Sequence, residues 1–108
     1  MVFLVSIHPV QDYDVWKGQL DDHRRALGRA GVTRHWLYRG ADDPNEVMTV
    51  FELPSLDHAA RFLRSAEVGV AAWMDQAGLE IYPTFFVGEH ADSYEYPPPE
   101  PRGPGGGP

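Results

Sequence analysis

The chain contains no cysteine, which excludes disulfides, thiolate catalysis and cysteine-based metal sites. Positive charge is scarce. Nine Lys and Arg stand against 16 Asp and Glu, for a formal net charge of -7 and a pI near 5.0. The basic residues are scattered, with only Arg24 and Arg25 adjacent, so there is no footprint for nucleic acid and nothing to draw the chain to an anionic membrane. Long apolar runs are also missing. The longest, Met1 to Val5, falls far short of the roughly 20 residues that span a bilayer. The opening residues lack the basic region and cleavage site of a secretory signal, and a cytoplasmic location is the expectation. No HExxH, phosphate-binding glycine loop, nucleophile elbow or dinucleotide fingerprint occurs. His23, His58 and His90 have no ligand-like spacing with an acidic partner. No metal site and no cofactor site is therefore assigned.

What is present fits one domain: 108 residues, 12.1 kDa and 43% hydrophobic residues, near ordinary globular composition. MVFLVSIHPV predicts a strand over Val2 to His8. Phe3, Val5 and Ile7 form a wholly apolar face, with Ser6 and His8 on the other. Which face is turned inward is left open by the pattern. Asp12 or Asp14 is a helix cap, and Val15, Trp16, Leu20, Ala26 and Leu27 form an imperfect helical face up to a stop at Gly31. Val32 to Arg39 and Glu46 to Leu53 are strands, joined by the turn residues GADDPN into an antiparallel hairpin. Ser55 caps a second helix through Leu56, Ala59, Ala60, Phe62 and Leu63. His58 replaces the Glu or Gln of a capping box at its third position. That helix breaks near Ser65 or Gly69, helical propensity resumes to Gly78, and Glu80 to Val87 is a last strand interrupted by Pro83.

The order is β-α-β-β-α-β, two similar halves, which is the ferredoxin-like α+β arrangement. Residues 1–90 form the domain and residues 91–108 a flexible Pro/Gly-rich tail. Both helices can cover one face of the sheet, leaving the other for a partner. Three Trp, five Tyr and five Phe exceed what the helix-covered core of so small a domain readily holds. A homodimer through the sheet faces accounts for both the open face and the surplus aromatics.

The run GVTRHWLYRGADDPNEVMTVFELPSLDHAARFLRSAEVGVAA resembles the dimeric α/β-barrel superfamily, in its antibiotic-biosynthesis monooxygenase-like branch. The shared features are a strand entered from Gly31 and ending in Tyr38 and Arg39, the turn Asp42-Asp43-Pro44-Asn45, a strand ending in Glu52, then Ser55, a helix and Leu63-Arg64-Ser65. The resemblance spans about Val2 to Glu89. It implies a dimeric α/β barrel and the chemistries found there: cofactor-free oxygenation of polyketide quinones, haem degradation, polyketide cyclisation, or no reaction. Haem-degrading members have a Trp where this chain has Phe62 and an iron-binding His near Ala72 or Trp73. A Trp cannot ligate iron, because its ring nitrogen is only a donor, so haem degradation is disfavoured. In the plant polyketide cyclase of this fold the catalytic His falls on Glu67 and its assisting Tyr near Arg61.

The resulting expectation is a small cofactor-independent monooxygenase or cyclase acting on an aromatic or polyketide-like substrate. The alternative is a non-catalytic ligand-binding or structural homodimer. In the enzyme reading His8 or Glu67 is the base. Trp36 and Trp73 hold the ring, and Tyr38 or Arg34 faces developing negative charge. Arg34, Trp36 and Tyr38 share one strand face and His35 takes the other. A cavity shared by His8, Trp36, Tyr38 and Trp73 is the strongest form of this reading. An aromatic dimer interface is the competing role for the Arg34-Trp36-Tyr38 face.

Overall fold

A computed structural model describes residues 1–65, 68–69 and 84–99. Seven elements follow in order: β1 (Val2–Pro9), α1 (Tyr13–Asp22), α2 (Arg24–Arg29), β2 (Arg34–Arg39), β3 (Glu46–Leu53), α3 (Leu56–Arg64) and β4 (Thr84–Glu89). The four strands form one sheet in the order β2-β3-β1-β4, and every neighbouring pair is antiparallel. This is the expected ferredoxin-like α+β topology, in which the two halves interleave so that β1 and β3 occupy the centre.

Local chemistry sets the boundaries. Asp12 caps α1 by accepting from the Val15 N–H at 3.1 Å. The first helical stretch divides at His23, which ends α1 and precedes α2. The ring of His23 bonds the Gln19 carbonyl at 2.8 Å, a side-chain contact that competes with helix continuation. Gly31 then turns the chain with φ of 106°, a left-handed conformation that favours glycine. Between β2 and β3, Asp43 accepts from the Asn45 N–H through its side chain at 2.9 Å, and its carbonyl accepts from the Glu46 N–H at 3.0 Å. Ser55 caps α3 by accepting from the His58 N–H at 3.2 Å, and the His58 ring bonds the same hydroxyl at 2.7 Å. His58 thus touches its cap through the Ser55 side chain rather than through the cap's backbone N–H, as a capping-box Glu would, in keeping with the expected absence of a capping box. α3 ends at Arg64, where Ser65 becomes extended. The expected strand from Glu80 begins at Thr84 among the described residues.

Strand alternation divides the sheet into two faces. Val2, Leu4, Ser6 and His8 of β1, with Val47, Thr49, Phe51 and Leu53 of β3, are all buried. They pack against Trp16 and Leu20 of α1, Ala26 and Leu27 of α2, and Ala59 and Phe62 of α3. The wholly apolar set Phe3, Val5 and Ile7 points the other way. It joins Met48 and Val50 of β3, Trp36 and Tyr38 of β2, and Phe86 of β4 in the cross-strand register. No described helix packs on that second face. Ile7, Tyr38 and Phe86 are 43%, 52% and 64% exposed there, while Phe3 and Trp36 lean together with ring centroids 6.1 Å apart.

Candidate functional site

The helix-covered face of the sheet carries an unusual polar row. Ser6 and Thr49 are register partners, so their side chains emerge on the same side at the sheet's centre. Both are buried, and their hydroxyls share a 2.6 Å hydrogen bond. One hydroxyl donates and the other accepts, which leaves one further proton for a third group. Neither residue is marked by a motif. The pairing joins positions 43 residues apart and emerges only from the strand register.

His8 lies two positions further along β1 on the same face, roughly 7 Å from Ser6 along the strand. It is 1% exposed. Its Nδ1 lies 3.2 Å from the Pro9 carbonyl oxygen. A carbonyl only accepts, so Nδ1 carries the proton and Nε2 the basic lone pair of the neutral ring. Trp16 meets the imidazole edge-on, with centroids 5.5 Å apart. Burial lowers the His8 pKa below the ordinary histidine value, and the hydrogen bond to Pro9 only partly opposes this. At neutral pH His8 is therefore a neutral base in an apolar setting.

Beside this row a small cavity separates the sheet from α3. Leu4, Ser6, Phe51 and Phe85 form its floor, and Phe62 and Leu63 its roof. Val68 and Gly69 close one side. They belong to a turn held by the Ser65 hydroxyl, which accepts from the Val68 N–H at 3.2 Å, and by the Ser65 carbonyl, which accepts from the Gly69 N–H at 2.9 Å. Only glycine fits at position 69, because a Cβ would stand 2.3 Å from the Ser65 carbonyl oxygen. The cavity holds about 10 Å³, and among the described residues Ser6 is its single hydroxyl-bearing wall.

The other anticipated site residues fall elsewhere. Arg34, Trp36 and Tyr38 share a face, as their spacing requires. That face is the one opposite His8 and Ser6: Trp36 pairs with Val50 and Tyr38 with Met48, in line with Val5 and Ile7. A single cavity containing His8, Trp36 and Tyr38 is therefore ruled out, because odd and even positions of β1 point to opposite sides of the sheet. Arg34 stands 3.9 Å from Glu52, which also accepts from the Thr33 hydroxyl at 2.8 Å. Glu67 and Trp73 lie outside the described residues. His35, on the helix side of β2, lies against Phe51 with centroids 4.7 Å apart. Its Nε2 is buried without a hydrogen-bond partner. Burial, then the charges of Arg24 and Lys17, lower its pKa. Among the described residues no group of three or more His, Asp or Glu side chains is placed to hold a metal ion.

No protein-family model matches the sequence, and no curated protein does. Solved structures do match. A protein described as a candidate antibiotic biosynthesis monooxygenase from Bordetella bronchiseptica superposes with a TM-score of 0.69 at 18% identity, covering 83% of this chain and 96% of that one. SnoaB, a cofactor-independent oxygenase from Streptomyces nogalater, matches with a TM-score of 0.60 at 19% identity, over 90% of this chain and 97% of its own. A dimeric ferredoxin-like protein from an uncultured marine organism matches with a TM-score of 0.57 at 13% identity, over 89% and 100%. The chain thus shares the ferredoxin-like α+β fold of these proteins. At these identities the likeness is one of architecture. Among the described residues no helix is long and apolar enough to cross a membrane.

Proposed function

We propose that the protein is a cytoplasmic, cofactor-independent monooxygenase or cyclase for an aromatic or polyketide-like substrate, acting as a homodimer. The observation that carries this reading is the buried His8 base aligned on one sheet face with the Ser6–Thr49 hydroxyl pair, of which Ser6 lines an apolar cavity. That combination supplies what carbanion chemistry requires: a base that is unprotonated at neutral pH, a hydroxyl donor for a developing oxyanion, and walls that exclude water.

In the oxygenase version His8 Nε2 removes a proton from an acidic ring methylene, and Ser6 Oγ donates to the adjoining oxygen as it gains charge. The substrate carbanion is the reductant for dioxygen. The methylene becomes a carbonyl, one oxygen atom enters the product and the other leaves as water. In the cyclase version the same proton removal generates an enolate that attacks an internal carbonyl, and the proton returns to the new alkoxide. Glu67 is the alternative base. SnoaB, a neighbour in fold, is a cofactor-independent oxygenase, which supports the first version.

The test uses protein purified free of metal and flavin, offered an anthrone under air. Turnover that is lost in His8→Gln while ligand binding survives supports the base role. Unchanged turnover in that variant removes His8 from the mechanism and moves the role to Glu67. Failure to bind any aromatic ligand favours the second reading, a structural homodimer of the same fold. One observation points that way. Arg34, Trp36 and Tyr38 occupy the face that no described helix covers, where they suit an aromatic interface better than a pocket shared with His8.

A further inference from the structure

The cavity beside Ser6, at about 10 Å³, admits roughly one water, whereas small-molecule sites run to roughly 300–1,000 Å³. An aromatic ligand therefore enters only if a wall moves. One wall is shared with a second, much larger hollow. A groove of about 340 Å³ lies on the outer side of α3, between that helix and the end of α2. Phe62 lines both spaces. So does the turn that follows the helix: Ser65 faces the groove, while Val68 and Gly69 face the cavity. Phe62 is 4% exposed and rests on Phe51, ring centroids 5.5 Å apart. Its side chain therefore borders both spaces.

The groove has a distinct electrostatic character. Arg29, Arg61 and His58 line it, and no Asp or Glu does among the described residues. In a chain of net charge -7, a groove lined by arginines and a hydrogen-bonding histidine is a local exception to a surface that repels anions. Its parts are held in place. Arg61 Nε donates to the Asp57 carbonyl at 3.4 Å. The His58 ring is fixed by Ser55 through Nδ1, and its Cδ2 edge packs so closely on Gly31 that a Cβ there would stand 3.1 Å away. In the tautomer in which the Ser55 hydroxyl donates to Nδ1, Nε2–H is a donor.

We infer that this groove is the ligand's entrance to the cavity, that Phe62 is the side chain that moves to admit it, and that Arg61 and His58 select ligands bearing an anionic group on an aromatic body. The inference rests on the cavity being the ligand site. It narrows the substrate class to aromatic carboxylates and comparable anions, with the charged end held at the rim and the ring inside.

Two probes of matched shape, 2-naphthoate and 2-naphthamide, test it with the full chain at low salt. The wild type should bind the carboxylate about tenfold more tightly, the gain of one charge-assisted contact. Arg61→Gln, at an exposed position, should abolish that preference and leave amide binding unchanged. Phe62→Trp should slow association of both probes, and Phe62→Leu should accelerate it. Equal affinities in the wild type, or a preference that survives in Arg61→Gln, overturn the selection. Association rates indifferent to both Phe62 variants overturn the gate. Amide chemical shifts of Ser6 and Thr49 separate these failures from a failure of the cavity reading. If bound probe perturbs them and charge makes no difference, the cavity stands and the entrance falls. If it leaves them unmoved, both fall.

Discussion

Replacing Thr49 by Val probes the centre of the site with almost no change of shape. The substitution removes one hydroxyl and leaves Ser6 Oγ, in a residue 2% exposed, without the 2.6 Å partner it has in the native protein. An unsatisfied buried hydroxyl costs about 1–3 kcal/mol. The low end applies if a water enters the 10 Å³ cavity beside Ser6. In a domain of this size each kcal/mol lowers Tm by about 4–8 °C, so Thr49→Val should lower it by roughly 4–24 °C. Ser6→Ala strands the Thr49 hydroxyl in the same way and should cost a similar amount. The double variant removes both partners and should lose clearly less than the sum of the two single variants, a coupling of at least about 1 kcal/mol. Urea unfolding followed by circular dichroism reads all four proteins. Protein concentration is held constant, because association would make stability depend on it. A Thr49→Val variant within about 0.5 kcal/mol of wild type, or strict additivity in the double variant, would refute the hydrogen-bonded pair as a structural and chemical unit.

The remaining expectations concern titration, backbone and assembly. His8 and His35 both have pKa values lowered by burial, so the unfolded chain takes up protons first as pH falls. Stability should be full above about pH 6.5 and decline below it, towards the folded-state values; denaturant midpoints that stay flat across this range would contradict the burial, and His8→Gln should reduce the slope. Gly31→Ala should cost about 1–2 kcal/mol, from its φ of 106° and its 3.1 Å approach to His58. Gly18→Ala, whose Cβ meets nothing within 4 Å inside α1, should instead gain about 0.5–1 kcal/mol; thermal melts compare the two. Trp36→Asp should shift a sedimenting dimer to monomer, since each buried apolar Å² contributes roughly 25 cal/mol before the costs of association. A wild type that sediments as monomer at micromolar concentration would remove the interface.

The β-α-β-β-α-β order was legible along the chain because its signals are local. GADDPN turns between two alternating runs, Asp12 and Ser55 cap helices, and Gly31 stops one; each needs only neighbouring residues. The same locality made the Arg34-Trp36-Tyr38 face readable, since alternation is a property of one strand. The division of the first helix at His23 was harder, because a ring-to-carbonyl bond outweighed an otherwise continuous pattern. The inward side of β1 was not readable at all. Phe3, Val5 and Ile7 are the more apolar set, yet the protein buries Ser6 and His8 beneath its helices. That choice depends on Thr49, 43 residues away, satisfying one hydroxyl, and on α1 bringing Trp16 over the imidazole. The cost of burying a polar group is decided by its partner, and the partner is supplied by strand register and helix packing. Sequence alone determined the elements and their order; only the tertiary structure decided which face of the sheet the helices cover.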